Sequence, residues 1–92
     1  MKITIDDLVN AIKSHKILDI YIITRYENET VDYSVSFLGV QSSSVSIIDS
    51  KIIINHSLYS ISFPLKDIEY SYGLYSVVHH NSILNISFLK NK

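Results

Sequence analysis

Ile17-Leu18-Asp19-Ile20-Tyr21-Ile22-Ile23-Thr24-Arg25 is the stretch on which the fold turns. Leu18, Ile20, Ile22 and Thr24 fall on one side of an extended chain, and Asp19, Tyr21, Ile23 and Arg25 on the other, the two-residue period of a β-strand. β-Branched and aromatic residues dominate, and both faces are partly apolar, which predicts a central strand. The residues before it have a different period. Ile5, Leu8, Val9 and Ile12 recur at helical spacing while Asp6, Asn10, Lys13 and Ser14 face away, one apolar stripe on a helix of about three turns. Thr4 and Asp7 form a variant capping box, and Lys13, His15 and Lys16 suit the negative carboxyl end. The spacing therefore predicts a helix over 5–15 and antiparallel β-structure over 17–89.

Downstream, Glu27-Asn28-Glu29 reads as a polar turn, after which Val31, Tyr33, Val35 and Phe37 alternate with Asp32, Ser34 and Ser36. Gly39 and the run Gln41-Ser42-Ser43-Ser44 interrupt that alternation. Short strands then follow at Val45 to Ile48, Lys51 to Ile54 and Leu58 to Phe63, with turns at Asp49-Ser50 and Asn55-His56-Ser57. Pro64 has no ladder donor, so the strand that reaches it must end there or lie on an edge. Leu65 to Ile68 reads as a bend or a single helical turn. The tail, Tyr70 to Val78 and Ile83 to Leu89 around His79-His80-Asn81-Ser82, reads as one hairpin with a bulge at Gly73.

The expected fold is thus mainly β (α+β): a short N-terminal helix followed by a six- or seven-stranded antiparallel small barrel or strongly bent sheet. An open antiparallel sheet with the helix across one face is the alternative. At 92 residues, with 47% hydrophobic and 18% charged, the chain forms a single domain over 1–92 with one core.

Element order, together with the ending Ile61-Ser62-Phe63-Pro64-Leu65-Lys66-Asp67-Ile68, resembles the Sm-like and related SH3-like small β-barrels, including the YolD-like bacterial proteins. The match runs from about Leu8 to Glu69. The resemblance implies a small barrel, a tendency to form rings and, in several members, RNA binding through basic or aromatic loop residues. Here the loops are acidic or serine-rich.

The formal net charge is −1, and basic residues are scattered from Lys2 to Lys92 without a run, which disfavours a phosphate-tracking surface. There is no cysteine, so neither a disulfide framework nor a thiolate metal site is available. Two carboxylates, Asp6 and Asp7, stand where a signal peptide would be apolar, and no run approaches the ~18 apolar residues of a membrane span. A cytoplasmic location is expected. The bias toward Ile, Ser, Asn, Lys and Tyr suggests an AT-rich genome, such as a low-GC bacterium or one of its phages.

His79-His80, with His15 and His56 elsewhere, is the one histidine cluster. Neighbours on a strand point to opposite faces, so a polar hairpin turn is the preferred reading and no metal is expected. Gly39 and Gly73 lie far apart in strand-like surroundings and build neither a nucleophile elbow nor a phosphate loop, so no catalytic residue, no cofactor and no enzymatic activity is expected. Asn28-Glu29-Thr30, Asn55-His56-Ser57 and Asn85-Ile86-Ser87 match the glycosylation pattern, which matters only for a secreted chain.

The seven tyrosines carry the functional expectation. Tyrosine combines a large apolar face with a hydroxyl, the mixture that interfaces favour. Tyr70, Tyr72, Tyr75 and Tyr59 are the candidate interface residues, with Tyr70 and Tyr72 placed on one strand face. The expected function is a non-enzymatic protein–protein interaction module. It self-associates as a homo-oligomer or binds a larger protein, as a small phage or mobile-element regulator or inhibitor. In size and in lacking catalytic motifs it resembles anti-CRISPR and other anti-defence proteins. An oligomeric Sm-like nucleic-acid binder and a small-nucleotide or metabolite pocket protein are the alternatives.

Overall fold

The computed structural model describes residues 1–25, 33–56 and 59–88, with the side chains of residues 33, 56 and 59 outside the description. The expected turn at Glu27-Asn28-Glu29, and with it Val31 and Asp32, lies outside the described residues, as do Ser57, Leu58 and Leu89. Among the described residues nine strands and one helix run in the order β1 (Lys2–Ile3), α1 (Ile5–Ser14), β2 (Ile17–Thr24), β3 (Tyr33–Gln41), β4 (Val45–Ile48), β5 (Lys51–His56), β6 (Tyr59–Pro64), β7 (Ile68–Ser71), β8 (Leu74–His79) and β9 (Ser82–Phe88). A 3-10 turn, Ser42–Ser44, joins β3 to β4.

The strands form a six-stranded sheet, β1-β7-β8-β9-β2-β3, and a three-stranded sheet, β4-β5-β6. All pairings are antiparallel. Neither order closes on itself, and no closed barrel is found. β2 lies inside the large sheet between β9 and β3, with Leu18 and Ile20 fully buried on the face that the alternation assigns to the core. Cross-strand register continues that face through Ile86 and Leu84 on β9 and through Phe37 and Val40 on β3. Ile52, Ile54 and Phe63 of the small sheet and Leu8 and Ile12 of α1 join the same cluster, so both sheets and the helix share one core.

α1 begins where the capping box places it. The Asp7 N–H donates to Thr4 Oγ1 at 3.1 Å, and the Thr4 N–H donates to Asp7 Oδ2 at 3.0 Å. These two bonds satisfy two of the donors that a helix start leaves open, and bonding to the Thr4 backbone N–H, then to the Thr4 hydroxyl, holds the Asp7 carboxyl below its ordinary pKa. The helix ends at Ser14, one residue short of the expected His15.

Three expectations along the β region are corrected. The tail is three strands, not two, because Tyr72-Gly73 is a turn and not a strand with a bulge. Both residues have positive φ, 50° and 81°, which gives the backbone twist of a tight two-residue hairpin. Asp49-Ser50 makes the same kind of turn, with φ of 52° and 59°. Asn55 and His56, expected in a turn, continue β5 and pair with Ser60 and Tyr59. Between β6 and β7 the chain makes the expected bend, at Asp67, and not a helical turn, with Leu65 buried and its N–H donating to the Ser50 carbonyl at 2.8 Å. β1 was not expected at all. It exists by pairing with β7, Ile3 opposite Ile68.

The interruption at Gly39 is a β-bulge. Leu18 pairs with Val40 and Ile20 with Phe37, so Leu38 and Gly39 together oppose Asp19. Gly39 takes φ +68°, and its N–H donates to Asp19 Oδ1 at 2.8 Å. A glycine in the left-handed region suits this position because an added side chain would be strained there.

Candidate functional site

The expected interface tyrosines part company. Tyr70 and Tyr75 face each other across β7 and β8, with ring centroids 4.6 Å apart, and Tyr75 meets Phe88 edge-on at 5.5 Å. Both are half-buried, and Tyr75 packs against the core. Burial, and after it the charges of Tyr70 and Asp7, push the Tyr75 hydroxyl above its ordinary pKa. Tyr72 is fully exposed in the turn and shares no strand face with Tyr70, which corrects the expected pairing of the two. The Tyr59 side chain lies outside the described residues.

His15 and the His79-His80 pair make different contacts. The His15 ring stacks on Phe88 at 4.5 Å, and its Nδ1–H donates to the Ala11 carbonyl at 2.8 Å. His79 and His80 lie 4.2 Å apart, and His79 also meets Phe63 edge-on at 6.0 Å, a contact from one sheet to the other. The His56 side chain is outside the described residues. Among the described residues no group of three His, Asp or Glu side chains gathers, and no helix is long and apolar enough to cross a membrane.

Three surface features remain. The first is the outer side of β3. Among the described residues this strand pairs with β2 alone, and it has nine residues, Tyr-Ser-Val-Ser-Phe-Leu-Gly-Val-Gln, without a charge or a proline. Val35 is 40% and Leu38 65% exposed. The opposite edge, β1, has two residues, one of them Lys2. Shortness and lysine are means of blunting an edge, and β3 has neither.

The second feature is an apolar ladder on the outer face of the large sheet. Val78, 63% exposed, pairs with Ile83, which pairs with Ile23. The third is a groove of about 500 Å³ between α1 and β4, lined by Val9, Ile12, Lys13, Val45, Ser46 and Ile47 together with Ser42 and Ser43. Ser42 and Ser43 also line an adjoining hollow with Lys16, Ile17 and Gln41. The Ser42 N–H donates to the Lys16 carbonyl at 2.9 Å and ties the 3-10 turn to the end of the helix. From sequence, Val9 and Ile12 are a core stripe and the serines an interruption. Only the tertiary fold brings them to one cleft.

No protein-family model, curated protein or solved structure matches this chain.

Proposed function

We propose that the protein is a non-enzymatic interaction module that self-associates along β3. The observation carrying this reading is the long uncharged strand β3 at the end of the large sheet, paired with β2 alone among the described residues. An edge strand offers a row of unpaired N–H and C=O groups, and another strand is the partner that satisfies them all. A neutral strand meets no like-charge repulsion from its own copy. Antiparallel pairing about a two-fold axis sets the same patch against itself and joins the two large sheets into one. It also covers Val35, which faces the core side but is incompletely covered within one chain.

Size, the absence of cysteine and the compositional bias fit a cytoplasmic regulator or inhibitor carried by a phage or mobile element and directed at a larger host protein. Sedimentation of the wild type and of Val35→Lys tests the self-association. A wild-type dimer that becomes monomeric in Val35→Lys, with the cooperative melt retained, is expected. A wild type that stays monomeric at several hundred micromolar, or a variant that dimerises as well as the wild type, rules out the β3 contact. Ser34→Lys, on an exposed position of the same edge, repeats the test at a side chain outside the core.

A further inference from the structure

We infer that the groove between α1 and β4 is a binding site for an extended peptide that adds as a strand to β4, with apolar side chains at alternate positions and an acidic group at its end near Lys13 and Lys16. This rests on the interaction-module reading but not on the β3 contact. The first observation is that three consecutive residues, Val45, Ser46 and Ile47, line the cleft. Side chains of consecutive strand residues point to opposite faces, so a surface touching all three runs along the edge of the strand, where its main chain lies. Among the described residues β4 pairs with β5 only, and the cleft runs along its other edge.

The register tells which main-chain groups are presented. Asp49-Ser50 is a two-residue turn, and in such hairpins the closing pair, here Ile48 and Lys51, exchanges both hydrogen bonds. Bonded and non-bonded pairs alternate, so Ile47 opposite Ile52 and Val45 opposite Ile54 direct their N–H and C=O groups away from β5. The Val45 N–H is taken by the Ser42 carbonyl. Ile47 N–H, Ile47 C=O and Val45 C=O are left facing the cleft, one donor and two acceptors at the spacing that another strand matches.

The opposite wall supplies the side-chain pockets. Val9 and Ile12 stand one helical turn apart beside Val45 and Ile47, so alternate side chains of an inserted strand meet aliphatic surface. Polarity comes from one end. Lys13 and Lys16 line the cleft and its adjoining hollow, and among the described residues no acidic one lines either. An acidic side chain or a terminal carboxylate is the complement, and a basic peptide is rejected. A strand edge beside a helix is a recurring arrangement for capturing extended peptides, with main-chain bonds giving affinity and pockets giving specificity.

Selection from a displayed library of random twelve-residue peptides, followed by titration of one selected synthetic peptide, tests the inference. The expected consensus alternates apolar residues and ends in acid, with the largest amide shifts at Val45 and Ile47. Lys13→Glu combined with Lys16→Glu, both at exposed positions, is expected to weaken binding at least tenfold without altering the oligomeric state. N-Methylation of alternate peptide nitrogens is expected to abolish binding in one phase and spare it in the other. Failure to enrich any family, shifts confined to β3 or the outer sheet face, or indifference to both the lysine reversal and N-methylation overturns the proposal. A monomeric wild type that still binds the peptide removes the β3 contact and leaves this site standing.

Discussion

β3 and β4 are separated in sequence only by Ser42–Ser44, and among the described residues each pairs with a strand on one side only, yet the two edges differ in what they suit. β3 lies at the end of the large sheet, uncharged, with Val35 and Leu38 exposed. β4 lies along a cleft whose far wall is a helix and whose end carries lysines. An open, neutral edge is complementary to itself. An edge walled on one side and charged at one end is complementary to something unlike itself. Main-chain chemistry alone therefore does not specify a partner. The neighbouring element does.

The largest effect removes the helix wall and with it the fold on which both edges depend. Leu8 is fully buried on α1, and truncating such a residue already costs ~2 to 5 kcal/mol before a charge is added. Leu8→Asp is expected to lose the cooperative thermal melt, and with it both associations. A melt near that of the wild type, followed by circular dichroism, would mean that the helix does not dock as described.

Gly39→Ala is the next largest. An added Cβ would touch nothing, so the cost is conformational: φ of +68° holds any other residue in the left-handed region at roughly 1 to 2 kcal/mol. Asp19→Ala removes the carboxylate that accepts the Gly39 N–H, at roughly 1 kcal/mol. Urea melts measure both. Self-association should respond to each while peptide binding does not, because the bulge belongs to β3 and not to the cleft. Equal response of both associations would show the two edges to be coupled.

Thr4→Ala acts on the cleft side, since Thr4 caps the helix that forms its wall, and should cost ~1 kcal/mol. The linked pH effect has a definite sign. Asp7 titrates below its ordinary value because the Thr4 backbone, and then the Thr4 hydroxyl, bond its carboxylate. Its contribution is present above the unfolded carboxylate pKa, near about 4, and is lost as pH falls through the lower folded value. Urea melts from about pH 6 to about pH 3 should show the stability gap between wild type and Asp7→Asn closing in acid. A gap that is constant with pH would break the capping assignment.

Local signals were legible in sequence, and tertiary ones were not. Thr4 with Asp7 marked the helix start because capping is a contact within one turn, and the alternation through Leu18, Ile20 and Ile22 marked the core face because one face must be buried. Pro64 ends β6 on the edge of the small sheet, as its missing donor requires. The turn at Tyr72 left no trace because a tyrosine is not expected at positive φ. β1 left none because two residues become a strand only through a partner at the far end of the chain. The cleft has the same origin, since Val9 and Ile47 acquire a shared meaning only when α1 folds over β4.

Tyr72 supplies the smallest expected effect on stability and the sharpest test of where copies meet. Its φ of 50° places a bulky side chain in a region that favours glycine, asparagine and aspartate, at a cost of roughly 1 kcal/mol or more. The ring is fully exposed, so burial within the chain does not offset this strain. Asparagine before glycine is the preferred pair for such a turn, and Tyr72→Asn is accordingly expected to raise stability by up to about 1 kcal/mol. Strain retained at an exposed position is a reason to look for function there. β7 and β8 lie toward the β1 end of the large sheet, remote from β3 in strand order, so dimerisation along β3 predicts that sedimentation of Tyr72→Asn matches the wild type. A variant that is more stable yet monomeric would move the contact to the Tyr72 turn and leave the β3 edge without its partner.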